Sequence, residues 1–142
     1  FNSIKMKLIN IFLFTFILFA TFSGCKKTPG IGGNAVIKGR IWVEDWDNPY
    51  FTYIVHEYPG ANVTVYIFFG DGLSPGESVK TNINGEFEFN YLRKGDYKVV
   101  VYSKKKQDPE VLNSSNTEAI TSSVTIPATN SNIDIGKLTI KD

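Results

Sequence analysis

His56 is the only histidine in the chain and the clearest candidate for acid–base chemistry. Glu57 follows it directly, so the two could act as a base and its acidic neighbour. No nucleophile accompanies them, however, and the pair lacks the two-histidine spacing of a zinc-binding HExxH helix. We therefore expect His56 to be a surface or packing residue, and we predict that the protein has no catalytic residues and is not an enzyme.

Oxygen-bearing side chains in the loops could gather around a cation. Asp45, Asp47, Asn48 and Asp71 carry the ligand type that calcium prefers. Their spacing lacks the glycine and the closing glutamate of an EF-hand, so solvated loop residues are the simpler interpretation. The single cysteine, Cys25, cannot form an internal disulfide, and no Cys/His cluster suggests zinc. The sequence predicts no metal site and no cofactor.

Aromatic residues are far more abundant, with 11 Phe, 7 Tyr and 2 Trp. Several fall on the strand face opposite the predicted core or in an irregular insertion, residues 45–59. The favoured interpretation is that the insertion folds over this sheet face and buries the rings as a second small core. The alternative is an exposed aromatic platform that contacts a sugar or a protein. The candidate ligand-binding residues of that platform are Trp42, Trp46, Tyr50, Phe51, Tyr53 and Tyr66.

Length and charge limit the classes of partner. The chain has 142 residues and a formal net charge of +1. One domain plus a leader fits this length. So small a net charge gives no reason to expect nucleic acid or a strongly acidic partner.

The first part of the chain has the pattern of an export signal. Lys5 and Lys7 precede an apolar run, about Leu8 to Phe22, as a positively charged region precedes the apolar core of a signal peptide. The run is short for a membrane span, which needs about 20 apolar residues. An uncleaved transmembrane anchor is the alternative, and Met6 is a plausible true start of the leader.

The end of this run resembles the lipobox of bacterial lipoproteins. Phe22-Ser23-Gly24-Cys25 places two small residues before a cysteine, although Phe22 stands where the family usually has leucine. The resemblance implies cleavage between Gly24 and Cys25 and a diacylglycerol on the Cys25 sulfur. Two or three acyl chains anchor a protein stably where one does not. The membrane is therefore the expected partner.

This interpretation divides the chain into three parts. Residues 1–24 are a lipoprotein signal peptide with an apolar helix, residues 25–34 are a lipidated cysteine and flexible tether, and residues 35–142 are the domain. The expected location is the cell envelope, with the outer membrane favoured over the inner one. Lys26 and Lys27 are basic, which gives no reason to expect display on the outer surface.

Alternation of apolar and polar residues predicts a β-sandwich of seven strands. Asn84-Gly85 is a hairpin signal, a change of phase near Gly136 suggests a bulge, and Phe51 to His56 could form a short additional strand. The inward positions include Ile37, Phe87 and Tyr91. The seven predicted strands are 35–44, 61–69, 77–82, 86–92, 97–104, 119–126 and 132–140.

Residues 36–104 resemble the carboxypeptidase-regulatory-like modules, on four quoted segments. These are Gly39-Arg40-Ile41, PGANVTV from Pro59 to Val65, TNINGEFEF from Thr81 to Phe89, and LRKGDYKV from Leu92 to Val99. The resemblance implies a seven-strand Greek-key sandwich of the transthyretin-like (prealbumin-like) type. The motifs specify turns and packing and not an active site.

Two functions remain open at this point. The first is a lipid-anchored, non-catalytic binding or structural module of the bacterial envelope, with a glycan or an envelope protein as its partner. The second is a carbohydrate-binding accessory lipoprotein that uses the aromatic insertion 45–59.

Overall fold

The computed structural model describes residues 28–47, 51–105 and 116–142. This part of the chain is all β, as the alternation predicted, and contains eight strands. Their bounds are β1 Ile31–Trp46, β2 Ile54–Pro59, β3 Thr64–Phe69, β4 Glu77–Lys80, β5 Glu86–Leu92, β6 Gly95–Lys104, β7 Thr117–Ile126 and β8 Asn132–Lys141.

The strands form two four-stranded sheets that pack as a sandwich. The first sheet is built on β1, which pairs antiparallel with β5 along its first half and with β2 along its second half. Its other edge pairs with β8 in parallel. The second sheet has the order β4-β3-β6-β7 and is antiparallel throughout. The additional strand, β2, lies in the insertion that the sequence marked as irregular.

The core lies between the sheets and follows the predicted alternation. Ile37, Ile41, Val65, Phe89 and Val99 are each 0% exposed. Burial of apolar side chains on this scale is the main favourable contribution to folding, at about 1.5–3 kcal/mol for each fully buried large side chain.

Tyr91 departs from the prediction, because it points outward and is 70% exposed. Between the pairs Ala35–Leu92 and Ile37–Phe89, β5 contains one more residue than β1. This bulge places Tyr91 at φ +59°, and as a result Leu92 takes the buried position in place of Tyr91. The expected inward tyrosine is therefore replaced in the core by its neighbour.

The Asn84-Gly85 signal marks a real turn, but not a hairpin within one sheet. Gly85 donates its N–H to the carbonyl of Asn82, and only Gly85 of the pair has a positive φ, +76°. The Asn82 carboxamide oxygen accepts the N–H groups of Asn84 and Glu86 and so holds the turn closed. The strands on either side, β4 and β5, belong to different sheets. The turn is thus a corner between the sheets.

The bulge predicted near Gly136 is confirmed. Lys38 pairs with Asp134, whereas Arg40 pairs with Lys137, so β8 contains one additional residue. Gly136 has φ +74° at this point. The bulge moves the inward side of β8 from Ile133 and Ile135 to Leu138 and Ile140.

The folded structure begins closer to Cys25 than the predicted tether of residues 25–34 allowed. Residues 31–34 belong to β1, and Gly30 is already buried. The Tyr97 hydroxyl accepts the Gly30 N–H at 3.0 Å and donates to the Arg93 carbonyl at 2.6 Å. Burial raises the pKa of Tyr97 more than these backbone partners lower it. The apolar signal helix and Cys25 lie outside the described residues.

Replacing Tyr97 by phenylalanine is expected to lower the free energy of unfolding by about 1–3 kcal/mol, because it leaves buried backbone groups unpaired. The ring contact with Phe69, at 5.8 Å between centroids, is kept. Tyr102→Phe is the matched control, since Tyr102 is 53% exposed, and should change stability by about 0.5 kcal/mol or less. Urea denaturation of the two variants measures both effects. Equal stability of the two variants would contradict this role of the hydroxyl.

Within the part of the chain that the structure describes, there is no helix long and apolar enough to cross a membrane.

Candidate functional site

At the end of the sandwich farthest from Gly30, the outer face of the first sheet carries a row of large side chains. Trp42, Glu44 and Trp46 occupy alternate positions along β1 and point away from the core. The parallel register sets Thr139 beside Trp42 and Lys141 beside Glu44. Residues paired across a sheet share a face, so β8 adds its lysines to the same surface.

Three half-buried rings on this face, which we call the aromatic strip, are Trp42, Trp46 and Phe51. The ring centroids of Trp46 and Phe51 are 6.3 Å apart and tilted by 50°. The Lys141 ammonium lies 5.8 Å from both ring centroids, and Lys137 lies 5.3 Å from that of Trp42. These distances are within the range of cation–π attraction. The lysines therefore cover part of the strip.

Two acidic residues position the rings. The Trp46 indole donates its N–H to the Glu44 carboxylate at 3.2 Å. Asp47 accepts the N–H groups of Thr52 and Tyr53 at 2.5 and 3.1 Å, and its carbonyl accepts the Phe51 N–H. Partial desolvation raises the pKa of Asp47, but these hydrogen bonds outweigh it and keep the pKa below its ordinary value. Asp47 thus closes the insertion around Phe51.

A groove of about 870 Å³ adjoins the strip and shares Trp42 and Lys137 with it. Arg40 and Glu86, which both line the groove, form an ion pair at 2.8 Å. Hydrogen bonds from Asn82 and then from Arg40 lower the pKa of Glu86, so this carboxylate stays charged at neutral pH. The charged side chains that line the groove include Lys38, Arg40, Lys80, Glu86, Glu88 and Lys137.

A smaller cleft of about 320 Å³ opens between the sheets at the end of the sandwich away from Gly30. Lys104 and Asp142 form an ion pair at its rim. Burial, and then the negative charges of Asp142 and Asp45, raise the pKa of Tyr58. The Tyr58 hydroxyl therefore remains protonated and able to donate a hydrogen bond over the ordinary pH range.

The predicted aromatic residues do not form one platform. Tyr66 lies on the outer face of the second sheet, where its ring packs edge-on against Tyr102 at 5.8 Å. Tyr53 is 63% exposed at the base of the insertion, and Tyr50 lies outside the described residues. Of the predicted aromatic residues that the structure describes, Trp42, Trp46 and Phe51 share one sheet face.

The described part of the insertion differs from the expected second small core. Its strand β2 pairs with the edge of β1, from Trp42–Pro59 to Trp46–Ile54, and Phe51 packs against the Trp46 ring. The rings of the strip stay half-buried because lysines, and not the insertion alone, lie against them. This leaves ring area open to solvent on the outer face.

His56, the candidate for acid–base chemistry, and Asp71, a candidate cation ligand, both lie at the surface. The His56 side chain is 72% exposed, and its Nδ1 is 3.8 Å from an Asp45 carboxylate oxygen. Asp71 is exposed in the loop after β3. Across residues 28–47, 51–105 and 116–142, no three His, Cys, Asp or Glu side chains lie close enough together to hold a metal ion.

Sequence reasoning missed Lys137 and Lys141, the two residues that give the site its charge. Both occur in the last strand, about 95 residues after Trp42 and Trp46. Their alternation with Leu138 and Ile140 marked them as outward-facing. The neighbour of β8 could not be read from that pattern, because alternation does not select a pairing partner.

The described side chains of this surface are of types that suit ligand binding. Ring faces are negative and attract cations or the C–H face of a sugar ring. Lys137 and Lys141 add donors and positive charge beside them. A ligand with an apolar face and hydroxyl or acidic groups at its edge would match both features.

No family model matches this chain, and no curated protein sequence matches it. A comparison of structures finds similarity to the crystal structure of a proposed carbohydrate binding protein from Pseudomonas aeruginosa. The two chains share 14% sequence identity and a TM-score of 0.47, over 85% of this chain and 94% of that one. Both values are low, so the two proteins are similar in outline only.

Proposed function

We propose that this protein is a lipoprotein of the bacterial cell envelope: a non-catalytic β-sandwich, held to a membrane by lipid on Cys25, that serves as a binding or structural module. The outer membrane is the favoured location. We also assign the sandwich to the transthyretin-like, carboxypeptidase-regulatory-like class, on the sequence motifs given above.

The observation that carries this proposal is the position of the folded domain relative to Cys25. Gly30, only five residues further along the chain, is buried and held by Tyr97. The apolar run thus ends in Ser23-Gly24-Cys25 immediately before a folded domain. This order is expected where a leader is removed and its cysteine becomes the point of attachment.

The aromatic strip lies at the other end of the sandwich. From Ile31 to Trp46, β1 extends for roughly 50 Å when measured along the strand. A lipid at Cys25 and a ligand on Trp46 would therefore occupy opposite ends of the domain, so that membrane attachment leaves the strip open to a partner.

Inhibition of the lipoprotein signal peptidase tests the attachment. In cells treated with globomycin, the proposal predicts accumulation of a lipidated precursor that retains residues 1–24. A protein that matures normally under the drug would overturn the proposal. A non-lipidated secreted protein expressed in the same cells is the control for general export.

A carbohydrate-binding role is the second candidate, and the aromatic strip favours it. Three half-buried rings with two lysines on one sheet face offer stacking surface and hydrogen-bond donors together. A glycan is the partner proposed for this role, and an envelope protein that inserts an apolar segment is the competing one.

Replacing Trp46 or Trp42 by alanine is expected to weaken glycan binding by about tenfold or more, which corresponds to about 1.4 kcal/mol. Tyr66→Ala is the matched control, because Tyr66 lies on the outer face of the opposite sheet. A glycan array identifies the ligand, and titration of the three variants measures the losses. An equal loss in the Tyr66→Ala variant would place binding elsewhere.

A further inference from the structure

One end of the sandwich, which we call the Gly30 end, consists of residues 28–31, 70–76, 91–95 and 126–130. Backbone hydrogen bonds join these segments: Gly70 donates to Asp96, and Arg93 donates to Gly30. Gly95 pairs with Ile126 across β6 and β7. These contacts place the segments together around the start of the folded chain.

This end exposes large apolar side chains that the core does not use. Leu73, in the loop between β3 and β4, is 99% exposed, and Tyr91 is 70% exposed because of the bulge in β5. Ile31 is 43% exposed beside them. A leucine fully in water at a loop tip makes no packing contribution within this domain. These three residues come from separate segments of the chain, all of them at the Gly30 end.

The charges at this end favour an anionic surface. Arg93 and Lys94 lie in the turn between β5 and β6, beside Tyr91, and Lys26 and Lys27 precede the folded chain. The acids nearby are Asp71, 4.0 Å from Lys98, and Asp96, which accepts a hydrogen bond from Thr125, so the basic residues outnumber them. Basic residues at a membrane surface are attracted to anionic headgroups.

The chain length between anchor and domain is short. Four residues lie between Cys25 and Gly30, and the five residue-to-residue steps span at most about 18 Å when fully extended. A lipid on Cys25 would therefore keep the Gly30 end within about 18 Å of the point of lipid attachment. At so short a distance, even weak contacts between this end and lipid are favoured over release into water.

We propose that the Gly30 end docks directly on the bilayer, with Leu73 and Tyr91 in the interfacial layer. This inference rests on the proposed lipid attachment at Cys25 and adds to it an orientation of the domain. Tyrosine is enriched at the membrane–water interface because its ring is apolar and its hydroxyl remains hydrated. An apolar loop tip next to basic residues is the arrangement that interfacial binding uses. The long axis of β1 then points away from the membrane and carries the aromatic strip outward.

Site-specific fluorescence in vesicles tests this orientation. The full-length protein is matured in bacteria and reconstituted into vesicles of phosphatidylethanolamine and phosphatidylglycerol at 3:1. A lipidated Cys25 has no free thiol, so a single introduced cysteine takes the dye NBD alone. Leu73→Cys is the test variant. Ile83→Cys is the matched control, because Ile83 is 85% exposed at the corner beside Gly85 and Ile41, roughly 33 Å along β1 from Ile31.

The inference predicts that NBD on Leu73→Cys shifts its emission to shorter wavelength and is quenched by nitroxide-bearing lipids, whereas NBD on Ile83→Cys is not. Equal behaviour of the two labels, both quenched or both unquenched, would overturn the orientation and leave the lipid anchor in place. Dye uptake by the unsubstituted protein, or failure of that protein to float with vesicles, would overturn the proposed attachment itself, and the orientation with it.

Discussion

Cys25→Ser is expected to abolish lipidation and processing completely, so that the protein keeps residues 1–24. Serine lacks the thiol that would take the diacylglycerol, and cleavage before the residue depends on that lipid in the family that the Ser23-Gly24-Cys25 motif resembles. The variant should migrate as a longer, unlipidated precursor in an immunoblot of whole cells. Labelling with a radioactive fatty acid should fall to background.

Ser23→Ala is the matched control for this substitution, because it exchanges one small residue for another and keeps Cys25. It should be processed and labelled as the unsubstituted protein is. If Cys25→Ser is instead cut to the same length as the unsubstituted protein, an ordinary signal peptide is present and the proposal fails. Membrane fractionation alone would not decide the question, since an uncut apolar run from Leu8 to Phe22 could itself hold the variant in a membrane.

Gly85→Ala is expected to be the most damaging of the single-methyl additions considered. A Cβ at this position would lie 2.3 Å from the Ile41 carbonyl oxygen, which accepts the Gly60 N–H. Alanine at φ +76° adds about 1–2 kcal/mol of backbone strain, and the steric overlap adds about 1–3 kcal/mol. The corner where β1, β2 and β5 meet must shift to accommodate the methyl group.

Gly136→Ala separates the two contributions. Gly136 has almost the same φ, +74°, but a Cβ there has no neighbour within 4 Å. Its cost should therefore be the strain alone, about 1–2 kcal/mol. Urea denaturation of residues 25–142, with Cys25→Ser to remove the thiol, compares the pair. If the two substitutions lower the free energy of unfolding equally, the contact with Ile41 contributes nothing, and the corner can accommodate a methyl group at residue 85.

The alternation of apolar residues correctly predicted much of the fold. Ile37, Ile41, Val65 and Phe89 are buried where a period of two placed them, because one face of each strand must pack on the opposite sheet. The phase change at Gly136 likewise predicted a bulge, since a bulge is what restores burial after an odd residue. The prediction that Tyr91 faces inward was wrong for a related reason, because β5 contains a bulge there that its own sequence does not mark.

Pairing between distant strands could not be predicted in the same way. The Asn84-Gly85 signal gave a turn, but it could not show that β4 and β5 enter different sheets. Nor does any local pattern state that β8 runs parallel to β1. Both facts depend on which edges remain available once the core has formed, and this is a property of the whole domain.

The candidate site shows the same division. Strand alternation alone predicted that Trp42 faces outward, and it does, whereas Trp46 was predicted in the irregular insertion and instead extends the same strand. Tyr66 was grouped with them because its phase was also outward, but phase does not distinguish the outer faces of two sheets. Lys137 and Lys141 reach the strip only through the parallel pairing of β1 with β8.

Mass spectrometry of the mature protein tests lipid attachment at Cys25 without an intermediate assay. The N-terminal peptide is expected to begin at Cys25 and to carry the mass of a diacylglycerol on its sulfur. Further acylation of the new amino group would add to that mass. A mature protein that retains residues 1–24, or one in which Cys25 is present as a free thiol, would overturn the proposed attachment.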